Sequence, residues 1–473
     1  MALIKSISGI RGTIGGKPGE NLSPVDIVKF SCAFARFLQK RNGTRPEGGP
    51  MRMVVGRDGR LSGPMVDDLV KGSLAGMGVD VIETGLSTTP TVEMAVRKHA
   101  AHGGIIITAS HNPIQWNALK LLNEHGEFID AAEGAEVIRL SEEMDFPFAA
   151  VEDIGHVSED PDALSYHIRK IEELPLVDAG AVRKAKLKVV LDGINSTGSF
   201  AVPALLEKLG VEVQVIHDQP LGWFAHNPEP LPAHLADLSR IVVESRADMG
   251  ISVDPDVDRL AFVCEDGSMF GEEYTLVAVA DYVLAHVKGA AVSNLSSSRA
   301  LRDVAEAHGC AYFPAAVGEV NVVAKMREVG AVIGGEGNGG VIYPPLHYGR
   351  DALVGIALFL SHFAHKRMAS GTFSMTSFRA GFPAYSISKN RVELPTGTDV
   401  EKVLSMLKER YRNEKINEDD GVRIDFEASK EWVQIRKSNT EPIMRVYAES
   451  MDGKSADALG RRLVAEIDAL MHS

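Results

Sequence analysis

Three carboxylates are crowded into one short loop near the middle of the chain. Asp254, Asp256 and Asp258 alternate in the segment DPDVDR, directly after the β-branched run ISV. Unpaired carboxylates at this spacing repel one another, whereas divalent cations such as Mg²⁺ prefer such oxygen ligands. The pattern predicts a metal-binding loop at the end of a strand, and a solvated acidic turn is the simpler alternative.

Two known sequence motifs share part of this pattern. An EF-hand would also place aspartates at its first, third and fifth positions, but its sixth position needs glycine and here holds Arg259. The flanking segments are also predicted to be strands rather than helices, which excludes the EF-hand. A phosphatase with an aspartate nucleophile fits better, although Asp258 stands where Thr or Val is expected. The phosphatase remains a chemical alternative.

A second loop offers a hydroxyl nucleophile. In TASHNP, residues 108–113, Ser110 lies beside His111 after an apolar run, and the following Asn-Pro favours a turn that presents the hydroxyl to a cleft. Lys120 follows closely and could supply a cation, or a proton relay if its pKa were lowered. Taken by itself, the hexapeptide could equally well be a tight turn with a helix cap, without a catalytic role.

Two further loops carry groups suited to sugars and phosphates. GGEGNGG, residues 334–340, lacks the Gly-Lys-Ser ending of a P-loop, so its Glu336 is better suited to accept hydrogen bonds from sugar hydroxyls. RKSNTEP, residues 436–442, places Arg436, Ser438 and Thr440 where they can donate to a phosphate. Ordinary turns are the alternative in both cases.

The elements that position these loops alternate between strands and helices. Ser23 and Pro24 predict the start of a helix over 25–39. Other helices are predicted over 64–77, 93–98, 200–209, 300–308 and 322–329. Strands are predicted for MRMVVGR, VDVIETG, GGIIIT, LKVVLDG, VEVQVIH, MGISV, AAVSNLS and AVIGG. This order predicts mostly parallel sheets covered on both faces, with ligands at the carboxyl ends of the strands.

The same pattern returns three times and then changes. We expect three similar mixed α/β domains, 1–153, 154–268 and 269–371, followed by a C-terminal α+β domain, 372–473, with strands in EWVQIRKS and IMRVYAES and an amphipathic helix after Ser455. The acidic stretch 145–162, which contains two prolines, is predicted to be the first linker.

Composition narrows the possible partners and the compartment. A formal net charge of −14 at pH 7, without a basic stripe, argues against a nucleic-acid partner. Three widely spaced cysteines predict reduced thiols. The sequence shows neither a leader nor a run of about 18 apolar residues, so we expect a cytoplasmic protein with no membrane partner.

Together the four loops resemble those of the α-D-phosphohexomutases, in order and approximate spacing, and GIRG with Arg11 is similar to the N-terminal loop of that family. The resemblance covers essentially the whole chain and implies four domains around a central cleft, with one loop from each. It implies catalytic roles for Ser110, as a phosphoserine, and for His111, Lys120, Arg11 and Arg259. It implies substrate contacts by Glu336, Asn338, Arg436, Ser438, Asn439, Thr440 and Arg445, and Mg²⁺ binding by Ser110, Asp254, Asp256 and Asp258.

The implied reaction interconverts hexose 6-phosphate and hexose 1-phosphate, with a hexose 1,6-bisphosphate as intermediate and primer. The partner is then a small sugar phosphate, and the enzyme is expected to be a monomer or a homodimer. The family's sugar loop usually reads Gly-Glu-x-Ser-Gly-His, whereas Asn338 and Gly340 occupy its Ser and His positions. With VGEVNV at 317–322, this form resembles the phosphoglucosamine mutase branch. Glucosamine phosphate is therefore the expected substrate, and glucose or mannose phosphate, a Mg²⁺-dependent phosphatase and a non-catalytic sugar-phosphate binder are the alternatives.

Overall fold

A computed structural model describes residues 3–6, 9–43, 49–395, 397–438 and 442–471. The chain forms two compact units, one of residues 1–275 with 339–378 and the other of residues 276–338 with 379–473. Within the described residues, no helix is both long enough and apolar enough to cross a bilayer.

The described elements alternate over most of the chain. The strands are β1 (Leu3–Ser6), β2 (Gly9–Thr13), β3 (Arg52–Arg57), β4 (Asp80–Leu86), β5 (Gly103–Ile107), β6 (Trp116–Leu122), β7 (Val157–Glu159), β8 (Lys188–Asp192), β9 (Glu212–Ile216), β10 (Met249–Val253), β11 (Leu260–Cys264), β12 (Ala290–Asn294), β13 (Tyr312–Ala315), β14 (Ala331–Glu336), β15 (Gly340–Ile342), β16 (Ser386–Glu393), β17 (Lys415–Asn417), β18 (Val422–Phe426), β19 (Glu431–Lys437) and β20 (Ile443–Ser450). The helices are α1 (Pro24–Asn42), α2 (Gly63–Gly76), α3 (Thr89–Lys98), α4 (Ala131–Glu143), α5 (Ala163–Glu172), α6 (Ala179–Ala185), α7 (Gly198–Leu209), α8 (Ala236–Ser245), α9 (Glu272–His286), α10 (Ala300–Ala307), α11 (Glu319–Val329), α12 (Ala352–Ser370), α13 (Met375–Ala380), α14 (Val400–Arg410) and α15 (Gly453–Met471).

The N-terminal sheet of the first unit has the strand order β1-β2-β6-β5-β3-β4-β7. Its β5-β3-β4-β7 half is parallel, as predicted, but β1, β2 and β6 pair antiparallel. The antiparallel half carries β6, which brings Lys120 alongside Ile106 of β5. The prediction of a mostly parallel sheet is therefore wrong for this half.

Helix α1 shows how the sequence determines an element here. Ser23 caps the helix, and its hydroxyl accepts from the backbone N of Asp26 at 3.4 Å while the Asp26 carboxylate accepts from the backbone N of Ser23 at 3.1 Å. This capping box satisfies two amides at the helix start. Ile27, Phe30 and Phe34 repeat at helical spacing and are buried in the core of the sheet.

The acidic stretch 145–162, predicted to be the first linker, includes regular secondary structure. It contains β7, which pairs in parallel with β4 at the edge of the N-terminal sheet. All three residues of β7 are exposed, so the strand lacks the alternation of apolar and polar residues that marks a half-buried strand. This segment of the sequence therefore shows no sign of a strand.

The second sheet of the first unit has the order β11-β10-β8-β9. Strands β8, β9 and β10 are parallel, and β11 returns antiparallel to β10. The segment DPDVDR joins β10 to β11, so strands flank it as predicted, which is incompatible with an EF-hand. Helix α12 belongs to this unit and is buried over its first thirteen residues.

The second unit contains β12, β13, β14 and β16 to β20, whereas β15 falls within residues 339–378 of the first unit. β12 pairs in parallel with β13 and with β14. A separate antiparallel sheet has the order β16-β20-β19-β18-β17, and its core includes residues of α14 and α15. The predicted change to an α+β arrangement near the C-terminus is therefore confirmed, after three α/β regions.

Candidate functional site

The three aspartates of the loop between β10 and β11 are brought together and fully buried. Asp254, Asp256 and Asp258 are each 0% exposed, and their carboxylate oxygens lie within 4.8 Å of one another. The loop turns through Val257, which has a left-handed φ of 61°. The Asp254 Oδ1 atom accepts from the backbone N of Asp258 at 3.1 Å and of Arg259 at 3.0 Å. These two bonds fix the end of the loop to the carboxylate of its first aspartate.

Cations and a hydroxyl from other elements surround this triad. The Lys120 ammonium lies 2.7 Å from Asp256 Oδ2 and 3.3 Å from Asp258 Oδ2. Arg350 donates to Asp258 Oδ2 at 2.8 Å, and the Thr89 hydroxyl donates to Asp256 Oδ2 at 2.6 Å. The Oδ1 atoms of Asp256 and Asp258 are buried and accept no hydrogen bond. A divalent cation would use such oxygens, so the donor set fits Mg²⁺.

The protonation of the triad follows from its burial. Burial and the charges of Asp256 and Asp258 raise the pKa of Asp254 well above its usual range. Burial would also raise the pKa of Asp256, but the Lys120 charge and its hydrogen bond lower it overall. Burial would lower the pKa of Lys120, but the two aspartates raise it. Lys120 is therefore held as a cation beside the triad, and its part in proton transfer stays a prediction.

Ser110 contacts the triad directly. Its hydroxyl donates to Asp254 Oδ2 at 2.6 Å, and the residue is 8% exposed. Its backbone has a left-handed φ of 48°, a conformation that costs energy for a residue with a side chain. The backbone N of Ser110 donates to the Thr108 hydroxyl at 2.9 Å, which holds the turn in this conformation.

A buried arginine that the sequence analysis missed holds the serine loop. Arg60 is 1% exposed, and its Nε donates to Asp58 Oδ2 at 2.9 Å. The same guanidinium donates to the backbone carbonyl groups of Pro113 and Trp116 at 3.0 Å each and to that of Ser110. Asp58 and Arg60 follow the predicted strand MRMVVGR, so their place at the carboxyl end of a strand was the available signal.

The other predicted catalytic residues lie near Ser110. The Nδ1 atom of His111 is 3.4 Å from the Ser110 hydroxyl, and burial together with the Arg259 charge lowers the pKa of His111 well below its usual range. Burial and Arg259 also lower the pKa of Arg11. Arg259 in turn forms an ion pair with Glu229 at 3.1 Å. The site therefore combines a neutral imidazole with several cations.

Thr89, Glu229 and Arg350 were also missed. Each reaches the site from a segment far away in the sequence, and no short motif marks it. For Arg350, the charged pair Arg350-Asp351 directly before a long apolar helix was a possible signal.

In the second unit, Glu336 is held by neighbours of the same unit. Its Oε1 accepts from Asn294 Nδ2 at 2.7 Å and from the backbone N of Gly318 at 3.2 Å. Asn338 donates to Glu336 Oε2 at 3.4 Å, and Glu336 is 5% exposed. The carboxylate is therefore fixed in position before any ligand binds.

Two arginines are paired across neighbouring strands at the loop that begins at Arg436, and the Asp420 carboxylate lies 3.9 Å from Arg436 Nε. Arg436 and Arg445 are direct partners across β19 and β20. Like charges opposite each other destabilise a sheet, and a bound anion would offset their repulsion. The backbone N of Ser438 donates to the carbonyl O of Ile443 at 2.9 Å. Asn439 and Thr440, which were also predicted to bind substrate, lie outside the described residues.

Four family models match the chain in succession. They are phosphoglucomutase/phosphomannomutase alpha/beta/alpha domain I at residues 3–147, domain II at 165–267 and domain III at 271–376, and the C-terminal domain at 390–467.

Individual proteins resemble the chain over nearly its full length. A phosphoglucomutase/phosphomannomutase of Thermococcus kodakarensis is 34% identical over 96% of this chain and 98% of its own. A probable phosphoglucosamine mutase of Methanopyrus kandleri is 30% identical over 96% of this chain and 95% of its own. A crystal structure of a Burkholderia thailandensis phosphoglucomutase/phosphomannomutase family protein has a TM-score of 0.82 at 23% identity and covers 99% of this chain and 98% of that one.

Proposed function

The chain belongs to the phosphoglucomutase/phosphomannomutase family and is a phosphosugar mutase, and on that premise we propose that Ser110 carries the phosphoryl group between the two ends of a hexose phosphate. One observation carries the proposal: the Ser110 hydroxyl lies 2.6 Å from Asp254 within a buried cluster of carboxylates and cations. Ser110 is thereby presented where the charge of a phosphoryl group can be balanced.

We propose that Asp254, Asp256 and Asp258, together with Ser110, hold Mg²⁺. The two buried Oδ1 atoms of Asp256 and Asp258 that accept no hydrogen bond support this assignment. Mg²⁺ would supply charge neutralisation at the oxygens of the transferring group. The protein's own Lys120 and Arg350, which already contact Asp256 and Asp258, would add positive charge next to the same carboxylates.

The proposed transfer has two halves. In the first, the bond between phosphorus and the Ser110 oxygen breaks as a bond to the free sugar hydroxyl forms, which gives a hexose 1,6-bisphosphate. In the second, the bisphosphate presents its other phosphate and returns a phosphoryl group to Ser110. The attacking sugar hydroxyl loses a proton and the released Ser110 oxygen gains one. Lys120, beside Asp256, and His111, beside Ser110, are the proposed candidates to carry it. Arg11 and Arg259 would contact the transferring group.

The second unit is proposed to bind the unreactive parts of the substrate. Glu336 would accept hydrogen bonds from sugar hydroxyls, with Asn338 beside it. The phosphate that is not reacting would be bound by a basic and hydroxyl-bearing set, Arg436, Ser438, Asn439, Thr440 and Arg445. The cross-strand pairing of two of these arginines supports an anion site.

The finer assignments are proposed together. Glucosamine phosphate is the proposed substrate because Asn338 and Gly340 replace the usual Ser and His of the sugar loop, and glucose or mannose phosphate is the alternative. The three cysteines are free thiols, which supports a reducing, cytoplasmic setting. The domain limits 1–153, 154–268, 269–371 and 372–473 and a monomer or homodimer remain predictions.

The test is a substrate panel with a matched pair of serine variants. Wild type should convert glucosamine 6-phosphate with Mg²⁺ and a matching bisphosphate primer, while Ser110→Ala should abolish turnover because it removes the phosphoryl acceptor. Ser73→Ala should remain active, since the Ser73 hydroxyl donates to the carbonyl O of Leu69 within α2 at 2.6 Å, away from the triad. Intact mass should show one phosphoryl group on the wild type and none on Ser110→Ala. Full isomerisation by Ser110→Ala would refute the proposal.

The alternative that the sequence left open is a phosphoryl group carried on Asp254, as in a phosphatase, because the metal loop would serve it equally well. The nature of the phosphorylated group separates the two. A serine ester withstands hydroxylamine, whereas an aspartyl phosphate is cleaved by it. A non-catalytic binder would show neither a phosphorylated residue nor turnover.

A further inference from the structure

Two helices that are far apart in the sequence hold the metal loop from two sides. The first residue of α3, Thr89, donates its backbone N to the carbonyl O of Asp256 at 2.8 Å and its hydroxyl to the Asp256 carboxylate at 2.6 Å. Arg350, two residues before α12, donates to the Asp258 carboxylate at 2.8 Å. Each helix start therefore fixes a different aspartate of the triad.

A buried cluster joins these two helices, and we call it the histidine–carboxylate cluster. It consists of Glu93 on α3, His167 on α5, His347 and Asp351, with exposures of 1%, 0%, 4% and 0%. The two nitrogens of His347 lie 3.2 Å from Asp351 Oδ2 and 3.2 Å from Glu93 Oε2. His167 lies 2.8 Å from the same Asp351 oxygen and 3.0 Å from the hydroxyl of Thr91 on α3.

The charges in the cluster favour a tight connection. Burial would lower the pKa of His347, but Asp351 and Glu93 raise it to about 9. An imidazolium between two carboxylates links α3 to the start of α12 by charge, and the hydrogen bonds of His167 to Thr91 and Asp351 join the same two helices. Asp351 also caps α12, because its Oδ1 accepts from the backbone N of Leu353 at 2.8 Å and of Val354 at 3.2 Å.

The backbone is built to admit this contact. A Cβ atom at Gly349 would lie 1.9 Å from Glu93 Oε2 and 2.9 Å from His347 Cε1. A residue with a side chain at this position would displace the Glu93 carboxylate. The glycine therefore allows Glu93 to approach the residue immediately before Arg350.

We infer that the histidine–carboxylate cluster is a positioning network for phosphoryl transfer, which joins α3 to α12 and so holds Thr89 and Arg350 against the metal loop. Its members act through those two residues, which contact Asp256 and Asp258. The inference rests on the proposed role of the two aspartates in binding Mg²⁺.

Two variants test the network without removing a side chain from the metal loop. Asp351→Asn keeps an oxygen that can cap α12 but replaces the acceptor shared by His167 and His347 with an amide. The double variant Glu93→Gln/His347→Gln removes one negative and one positive group together, so it leaves no additional unbalanced charge and is designed to fold. His365→Gln is the matched control, because His365 lies on the same helix α12 and contacts a carboxylate, Asp178, at 2.9 Å.

We expect both network variants to need about tenfold more Mg²⁺ for half-maximal activity and to lose about tenfold in kcat, the size typical of residues that orient metal ligands. The KM for the sugar phosphate should change by less than about twofold, since no substrate contact is removed. His365→Gln should match the wild type. Folded network variants with wild-type kcat and Mg²⁺ dependence would overturn the inference.

A structural measurement separates this inference from the proposed function. A crystal structure of each network variant should show Arg350 displaced from Asp258, or Thr89 from Asp256, whether or not the enzyme turns over. Retention of both contacts in both variants would also overturn the inference. If the wild type binds no Mg²⁺ in calorimetry, the proposed metal site fails, and the crystallographic result still decides whether the cluster positions the loop.

Discussion

At the scale of single residues, Arg60 holds the serine loop in place, because its buried guanidinium donates to three carbonyl groups around that loop. Arg60→Lys keeps the charge but loses the planar fork, so carbonyl groups that Arg60 satisfies would be left without a donor. We expect the free energy of unfolding to fall by about 2 kcal/mol or more and kcat to fall by at least about tenfold because Ser110 is misplaced. Urea unfolding and steady-state kinetics measure the two effects.

The control is Arg57→Lys on the preceding strand, where the Arg57 side chain donates to the carbonyl O of Asp58 at 3.3 Å and, within the described residues, not to the serine loop. It should retain both stability and activity. A wild-type kcat in Arg60→Lys would contradict the role of Arg60 in holding the serine loop.

The Asp256 carboxylate is held from outside its loop by Lys120 and Thr89. Asp256→Asn should raise the Mg²⁺ concentration needed for half-maximal activity by at least about tenfold, because an amide is a weaker ligand for a hard cation than a carboxylate and even an outer-shell change costs that much. Asp266→Asn is the control, since Asp266 lies in an exposed turn and accepts from Ser268. An unchanged Mg²⁺ dependence in Asp256→Asn would mean that the triad does not bind Mg²⁺.

At this scale, the sequence identified residues that act within one loop. The spacing of Asp254, Asp256 and Asp258 and the Ser110 turn are local patterns, so they could be found by inspection. Arg60 and Arg350 could not be assigned, because their partners are backbone carbonyl groups and a carboxylate supplied by other segments. The charge state of Lys120 also depends on aspartates more than 130 residues away.

At the scale of elements, the ion pairs of His347 tie α3 to α12 and depend on pH. The pKa of His347 is raised from 6.5 to about 9 in the folded protein, so its contribution to stability is complete below pH 6.5 and is lost as pH rises through 9. The contribution at neutral pH is about 3 kcal/mol, since one pKa unit corresponds to about 1.4 kcal/mol. The charged groups that face His347 are Glu93 on α3 and Asp351 at the start of α12.

Urea unfolding of the wild type between pH 6 and pH 9.5 checks this. The difference in unfolding free energy between the wild type and Glu93→Gln/His347→Gln should shrink as pH rises, because only the wild type has the titrating imidazole. A difference that stays constant or grows over this range would contradict the assigned charge state.

The elements that could be predicted are those whose apolar residues repeat with the period of a strand or a helix. Helix α1 begins at Pro24, where the capping signals placed it. Helix α3 begins at Thr89, earlier than the predicted 93, because Thr88 accepts from the backbone N of Thr91 and Pro90 is tolerated in the first turn. Strand β7 escaped prediction because pairing with β4, rather than burial, defines it.

At the scale of the whole molecule, the triad belongs entirely to the unit of residues 1–275 and 339–378, whereas Arg436 and Arg445 belong to the other unit. Mg²⁺ without sugar should therefore protect only the first unit. Hydrogen exchange should slow in peptides that cover 108–122, 254–260 and 350–354, because a bound cation stabilises the state that binds it. Peptides that cover 422–437 should exchange at the same rate with and without Mg²⁺.

Two comparisons make this result specific to the triad. Asp256→Asn should show little Mg²⁺-dependent protection at the concentration that protects the wild type, and a chelator should reverse the protection in the wild type. Glucosamine 1,6-bisphosphate added with Mg²⁺ should extend protection to peptides that cover 422–437, because its second phosphate offsets the repulsion between Arg436 and Arg445. Protection of those peptides by Mg²⁺ alone would mean that the cation binds at a second place, and the assignment of metal and phosphate to separate units would be wrong.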